Sequence, residues 1–152
     1  MIGLRTELLG ALSDGDLGFT PGGANSTLGE LLVQMGEIEF SYATSFETFK
    51  LDWEYRITDP TLTSSLMALG TWFEILDARF EGALSALEDV DLQRQIERPG
   101  GSSMSIDFQL QVYVQALFIY FGKFVVYLNA MSRPLPPSIQ AFIGYGAKVG
   151  FL

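Results

Sequence analysis

Apolar residues cover nearly every helical face of one stretch, Ser105 to Met131. Across it only Asp107 and Lys123 carry charge, and aromatic rings recur at Phe108, Tyr113, Phe118, Tyr120, Phe121, Phe124 and Tyr127. A helix that is apolar all round needs neighbours on most of its sides. The pattern therefore predicts the central helix of a compact bundle, and three further segments offer it partners. From Ile2 to Leu12, residues Leu4, Leu8, Leu9 and Leu12 share one side. Thr27-Leu28-Gly29-Glu30 matches a capping box, in which the Thr hydroxyl and the Glu carboxylate satisfy amides left open by a first turn. Behind it Leu28, Leu31, Met35, Ile38, Tyr42, Phe46 and Phe49 form a three-four stripe that predicts a helix down to about Lys50. In the third segment, Leu62 to Leu87, Leu62, Leu66, Leu69, Phe73, Leu76, Phe80, Ala83 and Leu87 keep the four-three spacing of bundle seams.

Polar and turn-forming residues punctuate these stripes. Ser13-Asp14-Gly15-Asp16 ends the first helix, and Phe19 to Asn25 carries the Pro-Gly and Gly-Gly steps of an irregular loop. Asp52 to Arg56 and Thr58-Asp59-Pro60 form a connection whose aromatic residues dock on the bundle, with Pro60 stopping any helix before it. Glu88 to Ser105 is a polar connection through Pro99-Gly100-Gly101-Ser102-Ser103, compatible with a short extended piece around Gln95 to Arg98. Arg133-Pro134-Leu135-Pro136-Pro137 breaks the fourth helix, leaving a tail with at most one helical turn. The expected fold is all-α, a four-helix up-and-down bundle forming one domain over 1–152. Its helices are expected at about 2–12, 27–50, 62–87 and 105–131, with a tail over 132–152.

Composition removes several chemistries. The chain of 152 residues is long enough to form one domain that buries roughly two thirds of its unfolded surface. It has no cysteine, which excludes disulfides, thiolate metal sites and cysteine nucleophiles. It has no histidine either, which removes the commonest general base and the commonest zinc or nickel ligand. Nine basic against eighteen acidic residues give a net charge of −9, which repels nucleic acid and anionic lipid, so neither is an expected partner. The opening MIGLRTELLGALSD lacks the pattern of an export signal, and a cytoplasmic protein is expected. Leu110 to Leu128 is long enough to span a bilayer, interrupted only by Gln111, Gln115 and Lys123. Against a membrane reading stand the single candidate span, the missing basic cluster, and other helices whose stripes would have nothing to cover. Glu74, Asp77 and Glu81 with Arg79 read as a solvated helix face, not as a carboxylate metal site.

Leu12 to Tyr42, LSDGDLGFTPGGANSTLGELLVQMGEIEFSY, resembles the opening half of DinB-like four-helix bundles, in which such a loop leads into a Thr-Leu-Gly-Glu-Leu-Leu helix start. Gly122 followed by Lys123-Phe124-Val125-Val126-Tyr127-Leu128 is similar to that family's closing motif, with a similar Pro-rich ending. The resemblance covers most of Leu12 to Pro137. It implies a bundle in which one His of the second helix and a His pair of the fourth hold zinc or nickel. Matching the motifs puts those positions at Gln34, Ala116 and Tyr120. A neutral amide is a poor ligand, Ala has no donor atom, and a Tyr phenol ionises only near pH 10 or about that. The resemblance thus implies a metal site lost, with no cofactor, and it takes away the metal that serves thiol-transferase chemistry in relatives. Dimers are common in the family, and a homodimer is expected here.

Two readings remain for that place. Tyr113, Tyr120 and Tyr127 fall every seven residues on the fourth helix, with Ala116 between the first two. A Gln34 to Tyr120 hydrogen bond would replace metal coordination with structure. Alternatively a vestigial polar pocket formed by Gln34, Glu37, Ala116, Tyr120 and Tyr113 holds a small organic ligand. Glu37 is either a base with a raised pKa or a paired residue at the bundle edge. Gln111 and Gln115 mark the least buried side or a partner contact, and Lys123 either binds an anion in a cleft or, the preferred reading, snorkels near the helix end. Trp53, Tyr55 and Arg56 cap the open end of the bundle or contact a ligand or second subunit. The function expected is a metal-free, non-catalytic binding or interaction module. The alternative is a metal-independent thiol-transferase or isomerase-like enzyme using the residual pocket, with no catalytic residue assigned.

Overall fold

The computed structural model describes residues 2–143, and the fold is predominantly α-helical. Five helices follow in order: α1 (Ile2–Gly10), α2 (Leu28–Thr48), α3 (Leu66–Ser85), α4 (Ile106–Ala130) and α5 (Pro137–Ile143). Between α3 and α4 lies a small antiparallel hairpin, β1 (Gln95–Arg98) with β2 (Ser102–Ser105).

Local chemistry sets these boundaries. The Thr27 hydroxyl accepts from the Glu30 amide at 3.2 Å, and the Glu30 carboxylate accepts from the Thr27 amide at 2.7 Å, closing the capping box that starts α2. Thr61 donates both its amide and its hydroxyl to Asp59, and the resulting 3-10 turn, Pro60–Thr63, holds Leu62 outside α3. Helix α3 consequently starts four residues later than its seam pattern suggests, at Leu66, with Ser65 as cap. Leu62 is buried all the same. Gly100 and Gly101, at φ +85° and +78°, take left-handed conformations that turn the hairpin.

The central helix is α2, which corrects the expectation placed on α4. Twelve of the 21 residues of α2 are buried, against nine of the 25 in α4. Two glycines let α2 be approached closely. A Cβ at Gly36 would lie 2.3 Å from the Trp72 ring of α3, and one at Gly29 would lie 2.2 Å from the Thr63 carbonyl oxygen. The α4 sequence is apolar beyond what its neighbours cover, so Phe108, Ile119 and Val126 stay exposed. By length and composition α4 could cross a membrane; here its inner face, with Leu117, Phe121, Phe124 and Leu128, belongs to the buried core.

The hairpin gives the extended piece a task. The Leu51 amide donates to the Glu97 carbonyl at 2.8 Å and the Glu97 amide to the Phe49 carbonyl at 2.9 Å, so the chain leaving α2 runs beside β1. Leu51 and Ile96 form a second small core with Phe46, Ala83 and Ile106. The tail departs from expectation, because α5 is a seven-residue helix where one turn at most was foreseen. Pro137 opens it, Ile139 is fully buried, and Ser138 donates to Glu7 of α1. Residues 144–152 of the expected tail lie outside the described residues.

The glycine contacts give a paired test in urea unfolding. Gly36→Ala forces its methyl against Trp72 and costs about 1–3 kcal/mol. Gly70→Ala, in open space on α3, is neutral or stabilises by up to about 1 kcal/mol. Equal effects at the two positions would contradict the close α2–α3 approach.

Candidate functional site

Gln34, Glu37, Ile38 and Ser41 follow one another at helical spacing on α2 and so share a side. Trp53 and Arg56 of the connection after α2 and Tyr120 of α4 close that side into a cleft of about 350 Å³. Three of the five pocket residues anticipated from sequence therefore meet: Gln34, Glu37 and Tyr120. The other two do not line the cleft. Ala116 packs, half-buried, against the core, and Tyr113 lies deeper, stacked on Phe80 at 4.4 Å between ring centroids and tilted against Tyr42 at 5.2 Å.

The hydrogen bond anticipated between Gln34 and Tyr120 is not made. Gln34 Nε2 donates to the Ser26 hydroxyl at 3.0 Å, while Tyr127 donates to the Ser26 carbonyl at 2.6 Å, so both anchor the loop before α2. The Ile57 amide donates to Glu37 Oε1 at 3.0 Å, and Arg56 Nε stands 3.8 Å from Glu37 Oε2. Arg56 Nη1 donates to the Trp53 carbonyl at 2.7 Å and also to the Tyr55 carbonyl. Trp53 sets its edge against Tyr42 at 5.4 Å and Tyr55 stacks on Phe40 at 3.6 Å. The aromatic connection thus lies along α2 at Glu37, Phe40 and Tyr42. Burial, and then the Glu37 carboxylate, push the Tyr120 phenol above its ordinary pKa, so at neutral pH it is a hydrogen-bonding hydroxyl. Lys123 lies over the same ring, 4.7 Å from its centroid.

A second polar cluster, in the interior of the fold, was not expected from the sequence. Arg5 of α1 is buried, and its Nη1 donates to both carboxylate oxygens of Glu39 on α2 at 2.7 Å. Its Nη2 donates to Asp77 of α3, which corrects the solvated-face reading of that residue. Arg79, placed on the same face, instead clasps Glu47 at 2.6 and 2.9 Å, while Glu74 and Glu81 are exposed as expected. The signal was present at Glu39, which falls four residues after Met35 and three before Tyr42, on the core face, where a charge requires a partner. Burial, with Asp77 adding repulsion, pushes Glu39 up to about 7 against the pull of Arg5. Burial and the Glu39 carboxylate hold the Tyr113 phenol far above its ordinary value. Nearby on α4, Gln109 Nε2 donates to Ser45 Oγ at 3.0 Å, and Gln109 Oε1 is the one buried side-chain polar atom without a partner among the described residues.

Chemically the cleft offers hydroxyls, an amide, one carboxylate and one guanidinium. Among the described residues no three His, Cys, Asp or Glu side chains gather as a metal-ligating group, and no hydrogen bond joins Ser41 or Tyr120 to Glu37 as a nucleophile to its base. The site is equipped to hold a polar molecule. No protein-family model matches the chain, and neither curated proteins nor solved structures give a match.

The ion cluster carries a pH signature. Because Glu39 takes up its proton more readily folded, at about 7 against 4.5 unfolded, its contribution to stability is complete below pH 4.5 and lost as pH rises through 7. Urea unfolding between pH 4.5 and 8 shows this fall in the native chain, and Glu39→Gln flattens it; an unchanged slope in the variant would contradict the assignment. Arg5→Ala, which removes the cationic partner of buried Glu39 and part-buried Asp77, destabilises the fold, and more at pH 8 than at pH 4.5.

Proposed function

We propose that the chain is a metal-free, non-catalytic binding module of the DinB-like four-helix type, cytoplasmic and homodimeric, that takes a small organic ligand in the cleft between α2, α4 and the aromatic connection. In this reading helices α1 to α4 are the four helices of the bundle, and the predominantly helical fold supports it. One observation carries the proposal. Gln34 and Tyr120, two of the positions matched to ligands in the family, flank an open cleft that also holds Glu37, with hydrogen-bonding groups free to meet a solute. The motif order from Leu12 to Leu128 supports the family reading. For the homodimer, support comes from the exposed apolar residues Phe108, Ile119 and Val126 on α4 and Phe142 on α5, on a chain that is otherwise strongly acidic. The same net charge of −9 argues for partners other than nucleic acid or a membrane surface.

The openness of the cleft also favours a second reading, a metal-independent thiol-transferase or isomerase-like enzyme using Tyr120, Gln34 and Glu37. A filled site would have weighed against it. The binding module is preferred because neither hydroxyl in the cleft is bonded to a base.

Native mass spectrometry of protein purified without chelator, with elemental analysis for zinc, nickel, manganese and iron, separates these readings. The expected result is a metal-free dimer. Stoichiometric metal would overturn the proposal, and turnover of a thiol substrate by the metal-free protein would favour the enzyme.

A further inference from the structure

The cleft holds one carboxylate and one guanidinium that form a loose ion pair with no hydrogen bond between them. The 3.8 Å between Glu37 Oε2 and Arg56 Nε exceeds the length of an N–H···O hydrogen bond. Backbone groups fix each partner from another side, the Ile57 amide on Glu37 Oε1 and the Trp53 and Tyr55 carbonyls on Arg56 Nη1. The carboxylate is the deeper of the two, its side chain 12% exposed against 66% for Arg56 at the mouth. Opposite charges thus stand at a set separation, each with capacity to spare.

Ser41 supplies an independent observation. Its hydroxyl lines the cleft, makes no hydrogen bond to another described residue, and is open to the cleft. The Tyr120 hydroxyl on the opposite wall is similarly unbonded, and Trp53 adds a flat apolar surface. A hydroxyl both donates and accepts, so these two can complete the coordination of either an ammonium or a carboxylate.

The charge pair selects among ligands. An anion drawn to Arg56 is repelled by Glu37, and a cation drawn to Glu37 is repelled by Arg56; a molecule carrying both charges close together meets attraction at each end. The volume of about 350 Å³ suits a molecule of amino-acid size. We infer that the cleft binds a small zwitterion of the free α-amino acid class, its ammonium on Glu37 and its carboxylate on Arg56, with Ser41 and Tyr120 completing the contacts. This inference rests on the binding-module reading of the same cleft.

The test is isothermal titration of the full chain with each of the protein amino acids. The tightest binder is then compared with its decarboxylated amine and its deaminated acid. The intact amino acid is expected to bind at least tenfold more tightly than either. Glu37→Gln, which keeps an acceptor for the Ile57 amide, erases the advantage over the acid; Arg56→Gln erases the advantage over the amine. Unchanged melting temperatures certify both variants, and the wild-type comparison stands without them. A single-charge analogue binding as tightly as the amino acid, a preference that survives both substitutions, or no binding by any amino acid would overturn the inference. The binding-module reading falls separately, on metal in the native mass spectrum.

Discussion

Arg5 donates hydrogen bonds to carboxylates on two other helices, and the packing of α1 depends on it. Burying an ion costs several kcal/mol unless geometry compensates. Here Glu39 receives two bonds, Asp77 a third, and the Phe73 ring lies 4.3 Å below the guanidinium carbon. At nine residues, α1 is too short to persist as an isolated helix, and neither a basic last turn nor an acidic first turn assists it. Leu4 and Leu8 give it affinity for the core. The Arg5 fork gives it rotation and register, since a turn about its axis in either direction would separate the buried Arg5 from the buried Glu39.

That cluster also determines where a polar ligand can go. The interior carboxylates are committed to Arg5, while the hydrogen-bonding groups of the cleft lie on the outer flank of α2. Glu37 and Glu39 show the division within one turn of helix. Two residues apart, they project about 200° from each other at 3.6 residues per turn. Glu39 enters the core, and Glu37 lines the cleft in a loose ion pair with Arg56. Ser41 and Gln34 extend the cleft side of α2 by helical spacing, so the same periodicity that builds the core stripe also builds the site.

Much of this was readable from residues. The Thr27 capping box, the α2 stripe, the Pro and Gly breaks and the extended Gln95 to Arg98 piece each have a local cause, and local causes survive folding. The errors came from effects that no segment contains. Apolarity of α4 does not measure its burial, because coverage depends on how many helices reach it, and α2 with its glycines admits the closer neighbours. The start of α3 was set by Asp59 and the hydroxyls after it competing with the helix. In the site, Tyr113 shares a face with Tyr120 but lies seven residues away, about 10 Å along the axis. That distance carries it past the cleft to the level of Phe80 and Tyr42. Arg56 and Trp53 reach the site through a connection whose path only packing decides, and Arg5 gave no sign beyond its place between two buried leucines.

The central claim is that the polar interior is a closed, arginine-centred ion cluster, which leaves the cleft as the open polar surface. The most direct measurement is the solvent exchange of arginine side-chain protons by nitrogen-resolved NMR at neutral pH. The account predicts that the Arg5 guanidinium protons give separate, slowly exchanging signals with protection comparable to core amides, while those of Arg133 and Arg94 exchange fast. Rapid exchange at Arg5, indistinguishable from the exposed arginines, would mean that the cluster is open to water and that the account is wrong.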